Sequence, residues 1–291
     1  MGGLKPIITC RSLELGDDFD DIANKIENDP KYVGLKKLCK FYPAEKRFEY
    51  LTEGIYPNRS EHPAQIPTLF LFSNPHPDSV ASGLLLSEPH SKTFWQRLFE
   101  SDHLRLPDGK IDLKSWDEST RKQLGKLMLE GKYMNEKGQK SDFLIFFHCL
   151  WQIPTNQVAD LKRLFVSKPQ REKINKDGLK ELAELVEREQ IKHIIVFTGE
   201  VFHLITGVKE VRRRWNLIKC GVDDFLEDNV KEKYWNTPAL CHAKAIFSND
   251  VDVYLGLYTR GKDWGKEMEK RYFTWALDMI LYKILETNKR V

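Results

Sequence analysis

"LFSNPHPDSVASG", residues Leu71 to Gly83, is the stretch on which the reading of this chain turns. An apolar run, Pro67 to Phe72, stops at Asn74-Pro75 and gives way to small residues that end in a glycine. Proline has no N–H for a sheet ladder and biases the residue before it toward extended backbone. The run therefore reads as a buried strand that ends here, with an asparagine at its exit. In open α/β sheets ligands bind outside the carboxyl ends of the strands, so position alone makes Asn74 a candidate site residue. Spacing alone leaves the alternative of an Asx-type turn residue tying down its own loop.

Outward from this point the pattern repeats. "DFLIFFHCLWQIP", Asp142 to Pro154, is continuously apolar, as a strand covered on both faces requires. A helix is expected over Asp177 to Gln190, with Leu179, Leu182, Leu185 and Val186 on one face, and "HIIVFTG", His193 to Gly199, follows as a third strand. Strand, helix, strand of this kind implies a parallel sheet. "ALCHAKAIF" and "VDVYLGLY" flank a Ser-Asn-Asp turn and read as a hairpin, and a helix over Gly265 to Glu286 completes the pattern. Another helix is expected over Ser91 to Phe99. Residues 102–140 are polar and lysine-rich, an insertion with one helix from Trp116 to Glu130 capped by Ser115. Residues 1–66 read as a helical N-terminal extension, with Leu13 to Asn28 and Tyr32 to Phe41 apolar at helical spacing. The expected fold is a three-layer α/β/α domain over 67–291 with a mostly parallel central sheet, preceded by that extension.

Composition narrows the function classes. With 46 basic and 43 acidic residues the net charge is +3, a bias too small to imply nucleic acid by itself. Five scattered cysteines without a CxxC pair point to reduced thiols in a cytoplasmic protein and to no bound metal. No apolar run reaches the roughly 18–20 residues that span a bilayer, so no membrane segment is expected. The absence of GxGxxG and P-loop glycine patterns argues against a nucleotide cofactor.

Asn74-Pro75, Gly83 and Phe94-Trp95, within "SNPHPDSVASG…KTFWQRLFESDHL", resemble the first motif of the uracil-DNA glycosylase superfamily, in particular its mismatch-specific thymine/uracil branch. That motif is Gly-Ile-Asn-Pro-Gly, a small-residue turn, a glycine, and a Phe-Trp opening the next helix. The resemblance continues in order through "FLIFFHCLWQIPT", "GLKELAELVEREQIKHIIVFTGEVFHLI", the hairpin and the last helix, over roughly residues 67–285. It implies a metal-free, cofactor-free enzyme whose partner is DNA, which flips a nucleotide from the stack and hydrolyses its N-glycosidic bond. Cleavage develops positive charge on the sugar and negative charge on the departing base. Asparagine is a poor proton acceptor, so the resemblance gives Asn74 the task of positioning the attacking water.

The departures from the family carry further implications. His148 stands where many relatives have an asparagine that reads the pyrimidine edge; the alternative is a core histidine bonded to a backbone carbonyl. His76 replaces a glycine and would gate the size of the base pocket, beside Phe94. Ser91 and Lys92 fall where the family's loop approaches phosphate. The family's last loop is His-Pro-Ser or Asn-Pro-Ser; here it is "LYTRGKDWG", so Arg260, Lys262 or Trp264 would face the leaving base or act as the wedge. Equally, Asp263 caps the last helix and leaves "TRGK" as a solvated turn. These changes point to a mismatched or modified pyrimidine rather than plain uracil, in repair or in defence against phage DNA. The competing expectation is a DNA-binding protein that kept the fold and lost the chemistry.

Overall fold

The computed structural model describes residues 8–87, 91–107, 111–209, 211, 242–257 and 267–289. Its first residues alternate at a strand period. Strands β1 (Ile8–Glu14), β2 (Cys39–Tyr42) and β3 (Arg47–Glu53) pair antiparallel in the order β1-β3-β2. Phe48, Tyr50 and Thr52 alternate onto the buried face of β3. Helix α1 (Phe19–Asn28) and the single turn α2 (Val33–Lys36) connect β1 to β2. The expected helical extension over 1–66 is thereby corrected. Its first helix exists, but Tyr32 to Phe41 divides between α2 and β2, because pairing of Cys39 and Phe41 with β3 overrides their helical spacing. Nor is this unit an appendage: Ile22, Ile26, Tyr32, Leu35 and Phe48 belong to the same hydrophobic core as the main sheet.

That main sheet has five strands: β4 (Ile66–Phe72), β5 (Phe143–Cys149), β6 (His193–Val196), β7 (His242–Ala245) and β8 (Ser248–Leu255). Their order is β5-β4-β6-β8-β7, parallel throughout except for β7, which pairs antiparallel with β8. Seven of seven residues of β5 are buried, which is why its sequence shows no polar alternation. The chain leaves β4 for β5 on one side and builds from β6 onward on the other. The crossovers therefore reverse direction between β4 and β6, the topological switch point where an α/β sheet opens a crevice at its carboxyl edge.

Seven further helices are described: α3 (Pro77–Ser82), α4 (Lys92–Leu98), α5 (Glu118–Leu129), α6 (Val158–Leu164), α7 (Lys168–Arg188), α8 (Gly199–Thr206) and α9 (Glu267–Lys289). Helix α7 begins at Lys168 rather than Asp177, because Ser167 and Gln170 form a capping box with bonds of 3.3 and 3.0 Å. Helix α5 is capped by Asp117, whose carboxylate accepts from Thr120 N at 2.7 Å; Ser115 instead donates to Asp117. The hairpin turns at 246–247, ahead of the expected Ser-Asn-Asp, and Ser248 already lies in β8.

Phe70 pairs in register with Phe147, and Leu71 with His148. Side chains alternate along a strand, so Phe70, Phe72 and Phe147 share one face of the sheet and His148 lies on the other. On the phenylalanine face, Phe72 stacks on Phe197 at 5.1 Å and meets Phe94 of α4 edge-on at 5.7 Å; Phe94 in turn meets Phe273 of α9 at 5.4 Å. The outer edge of β5 is closed by other parts of the chain. Ile55 exchanges two backbone hydrogen bonds with Phe147, and the buried Tyr133 hydroxyl of the 102–140 insertion accepts from Ile145 N at 2.5 Å. No described helix is long and apolar enough to cross a membrane.

Candidate functional site

Past Phe72 the strand ladder runs on for two more bonds, Leu150 N to Phe72 O at 3.0 Å and Trp151 N to Ser73 O at 2.8 Å. Pro75 then ends it, and the exit loops of β4 and β5 stay joined by a different device. The Asn74 Nδ2 donates to Thr155 O at 2.8 Å and to Thr155 Oγ1 at 2.9 Å, with Pro75 O at 3.2 Å; Thr155 N returns a bond to Pro75 O at 3.1 Å. A backbone carbonyl only accepts, so the network fixes which end of the amide is nitrogen. Asn74 is thus no Asx turn: its bond crosses to a loop 81 residues away. Its Oδ1 meets no protein donor among the described residues, and the side chain is half-buried. What results is a hydrogen-bond acceptor of fixed direction at the switch point of the sheet. On the neighbouring strand, Thr198 follows the exit of β6, where Phe197 N bonds Leu71 O at 3.1 Å. The Thr198 Oγ1 is buried with no partner among the described residues.

The small-residue turn after Asn74 is helix α3. His76 caps its start, Nδ1 accepting from Asp78 N at 3.2 Å, and Gly83 ends it at φ +79°, a left-handed conformation that suits glycine. His76 is therefore held beside Asn74 with Nδ1 occupied. Two indoles pin the loop that follows: Trp95 Nε1 donates to Leu86 O at 2.9 Å and Trp116 Nε1 to Ser87 O at 3.0 Å. Trp116 comes from the insertion, which the sequence left without a task.

The other expected residues fall elsewhere. Phe94 is only 2% exposed and lies within the aromatic cluster under the sheet. Ser91 is buried at the start of α4, and Lys92 Nζ donates to Lys114 O at 2.6 Å. His148 is 2% exposed on the opposite face from Phe94, and the structure does not bring it to Asn74. Gln152 Nε2 lies 3.3 Å from its Nδ1 and also donates to Cys149 O, so Nδ1 is the acceptor and the Tyr56 hydroxyl donates to it at 2.8 Å. Burial, reinforced by Arg11 and Arg188, pushes the pKa of His148 down to about 3, and the ring is neutral. His242, on the hairpin strand β7, bonds Asp252 at 2.6 Å; Asp252 pairs with the first residue of β6, at the far end of the sheet from Asn74. Arg260, Lys262 and Trp264 lie outside the described residues, as do His90 and Arg212 to Arg214.

Sequence reasoning missed Thr155, although a polar residue directly after the apolar run and Pro154 was a usable signal. It also missed the N-terminal unit as a wall of the site. A Cβ on Gly34 of α2 would stand 2.7 Å from Pro77 Cβ, and Tyr32 Oη donates to Asp160 O at 3.0 Å. Helix α2 and the turn before it are thus braced against the first turns of α3 and α6, the helices that follow the two exit loops. Neither a protein-family model nor a curated protein matches the chain, so the chemistry of the site is carried by its own geometry.

Proposed function

We propose that the protein is a DNA glycosylase that flips a target nucleotide and hydrolyses its N-glycosidic bond, with Asn74 holding the attacking water. The observation that carries this reading is the clamped amide. Its nitrogen is taken up by Thr155, and its oxygen stands open at the carboxyl edge of the sheet, at the switch point. Strand order, the exit asparagine, the small turn closed by Gly83 and the Phe-Trp of α4 agree with the three-layer α/β/α arrangement that the resemblance implies.

In this mechanism Asn74 Oδ1 accepts a hydrogen bond from water, which directs a lone pair of the water oxygen toward the sugar carbon. The base departs with the bonding electrons, and the water's proton passes to solvent after attack. An amide supplies orientation and no proton transfer, so acceleration comes from placement and from extraction of the base. With His148 in the core, the proposal of a mismatched or modified pyrimidine rests on His76 in place of glycine and on the altered last loop. Free Cys10, Cys39 and Cys149 agree with a cytoplasmic setting.

The test is excision from duplexes and single strands carrying uracil, a G·T mismatch, hypoxanthine, or methylated, hydroxymethylated or glucosylated cytosine, with alkali revealing abasic sites. Cleavage of one substrate, lost by about 10²-fold or more in Asn74→Ala with the fold retained by circular dichroism, is the expected result. Equal turnover by the variant sinks the assignment. The burial of His148 favours one second reading, a DNA-binding protein without catalysis. Salt-dependent binding of DNA with no abasic product from any probe singles it out.

A further inference from the structure

Around Asn74 Nδ2 stand three oxygens, Thr155 O, Thr155 Oγ1 and Pro75 O, at 2.8, 2.9 and 3.2 Å. The Thr155 hydroxyl has one proton, and it is spent on Gln157 O at 2.9 Å. All three oxygens therefore present lone pairs, and a group that only accepts has no favourable place among them. Thr155 is 3% exposed, so water does not substitute readily for a lost partner.

We propose that Thr155 is the positioning residue of the site, and that its clamp selects an amide over a carboxylate at position 74. The inference rests on the glycosylase reading of Asn74 and names what keeps that residue aimed. Without the Thr155 hydroxyl the amide keeps Thr155 O at 2.8 Å and Pro75 O at 3.2 Å but loses one of its two short bonds, so rotation about its terminal torsion is less restrained and Oδ1 loses its fixed direction. Aspartate at 74, which free-solution chemistry would favour as a base, meets three lone pairs. Ionised, as a carboxyl mostly is at pH 7, it is repelled from the clamp and holds no water in place; only the scarce protonated form copies the amide, and that form is no base.

The experiment uses the full chain on the duplex probe that the wild type cleaves, with Thr155→Val, Thr155→Ser, Asn74→Asp and Asn74→Ala. Thr155→Val is expected to lower kcat by about 10²-fold with KM little changed, and Thr155→Ser to restore most of it. Asn74→Asp is expected to fall near Asn74→Ala at pH 7, with no gain as pH rises to 8. By NMR, the Asn74 side-chain amide protons are expected to exchange slowly in the wild type and faster in Thr155→Val. An unchanged kcat in Thr155→Val beside an inactive Asn74→Ala overturns the positioning role and leaves the glycosylase reading intact. Asn74→Asp at or above wild-type rate overturns the selection of an amide. No excision of any probe by the wild type overturns both the reading and the role built on it.

Discussion

Inside β5 the imidazole of His148 is held neutral because nothing around it replaces the hydration of a cation, and two arginines add to the penalty. Unfolded, the ring takes a proton near pH 6.5; folded, it does so only at about 3. Between those values falling pH favours the unfolded chain, by up to about 1.4 kcal/mol per pH unit for the proton withheld. His193, pushed down by burial to about 4, adds to the same slope. Urea unfolding is therefore expected to show stability dropping from pH 7 to pH 5, with a shallower drop in His148→Asn. A flat profile would contradict the buried neutral ring. The sequence marks His148 as out of place in an apolar run, yet its face is set by register with β4, and register is invisible until strands are paired. Asn74 was legible from Pro75; Thr155 stood out as a polar residue after Pro154, but its pairing with Asn74 across 81 residues was not legible.

Among the elements, α7 fixes where the exit loop of β5 lies. A Cβ on Gly178 would come within 2.4 Å of Leu150 O, so helix and loop touch backbone to side-chain position with no room for a methyl. Gly178→Ala is expected to cost about 1–3 kcal/mol in thermal unfolding, through the shift it forces, despite alanine's better helix propensity. Because Leu150 leads directly to Thr155, excision by this variant is expected to fall as well. A more stable, fully active Gly178→Ala would show that the contact relaxes freely. The buried strands and the final helix were legible because their apolar runs decide the element unaided. The start of α7 was not, since its first turns are polar and only Ser167 and Gln170 announce them. The N-terminal strands were missed because a half-buried strand of mixed charge resembles a helix until its partner is known.

At the scale of the molecule, the N-terminal sheet and the main sheet are stitched through buried polar and backbone bonds. Thr52 donates to Gln152 at 3.1 Å, Tyr56 to His148 at 2.8 Å, and Ile55 pairs with Phe147. Calorimetry is expected to give one cooperative transition, and a fragment of residues 67–291 is expected not to fold. Two resolved transitions, or a stable fragment, would restore the picture of an appended extension. Closure of the outer edge of β5 by Ile55 and Tyr133 has a consequence outside the single chain. An open row of strand amides is a template on which a second copy can crystallise its own strand, the first step of fibre growth. Along β5 that template is already occupied from within, so a second copy finds no open strand to extend at this edge of the main sheet.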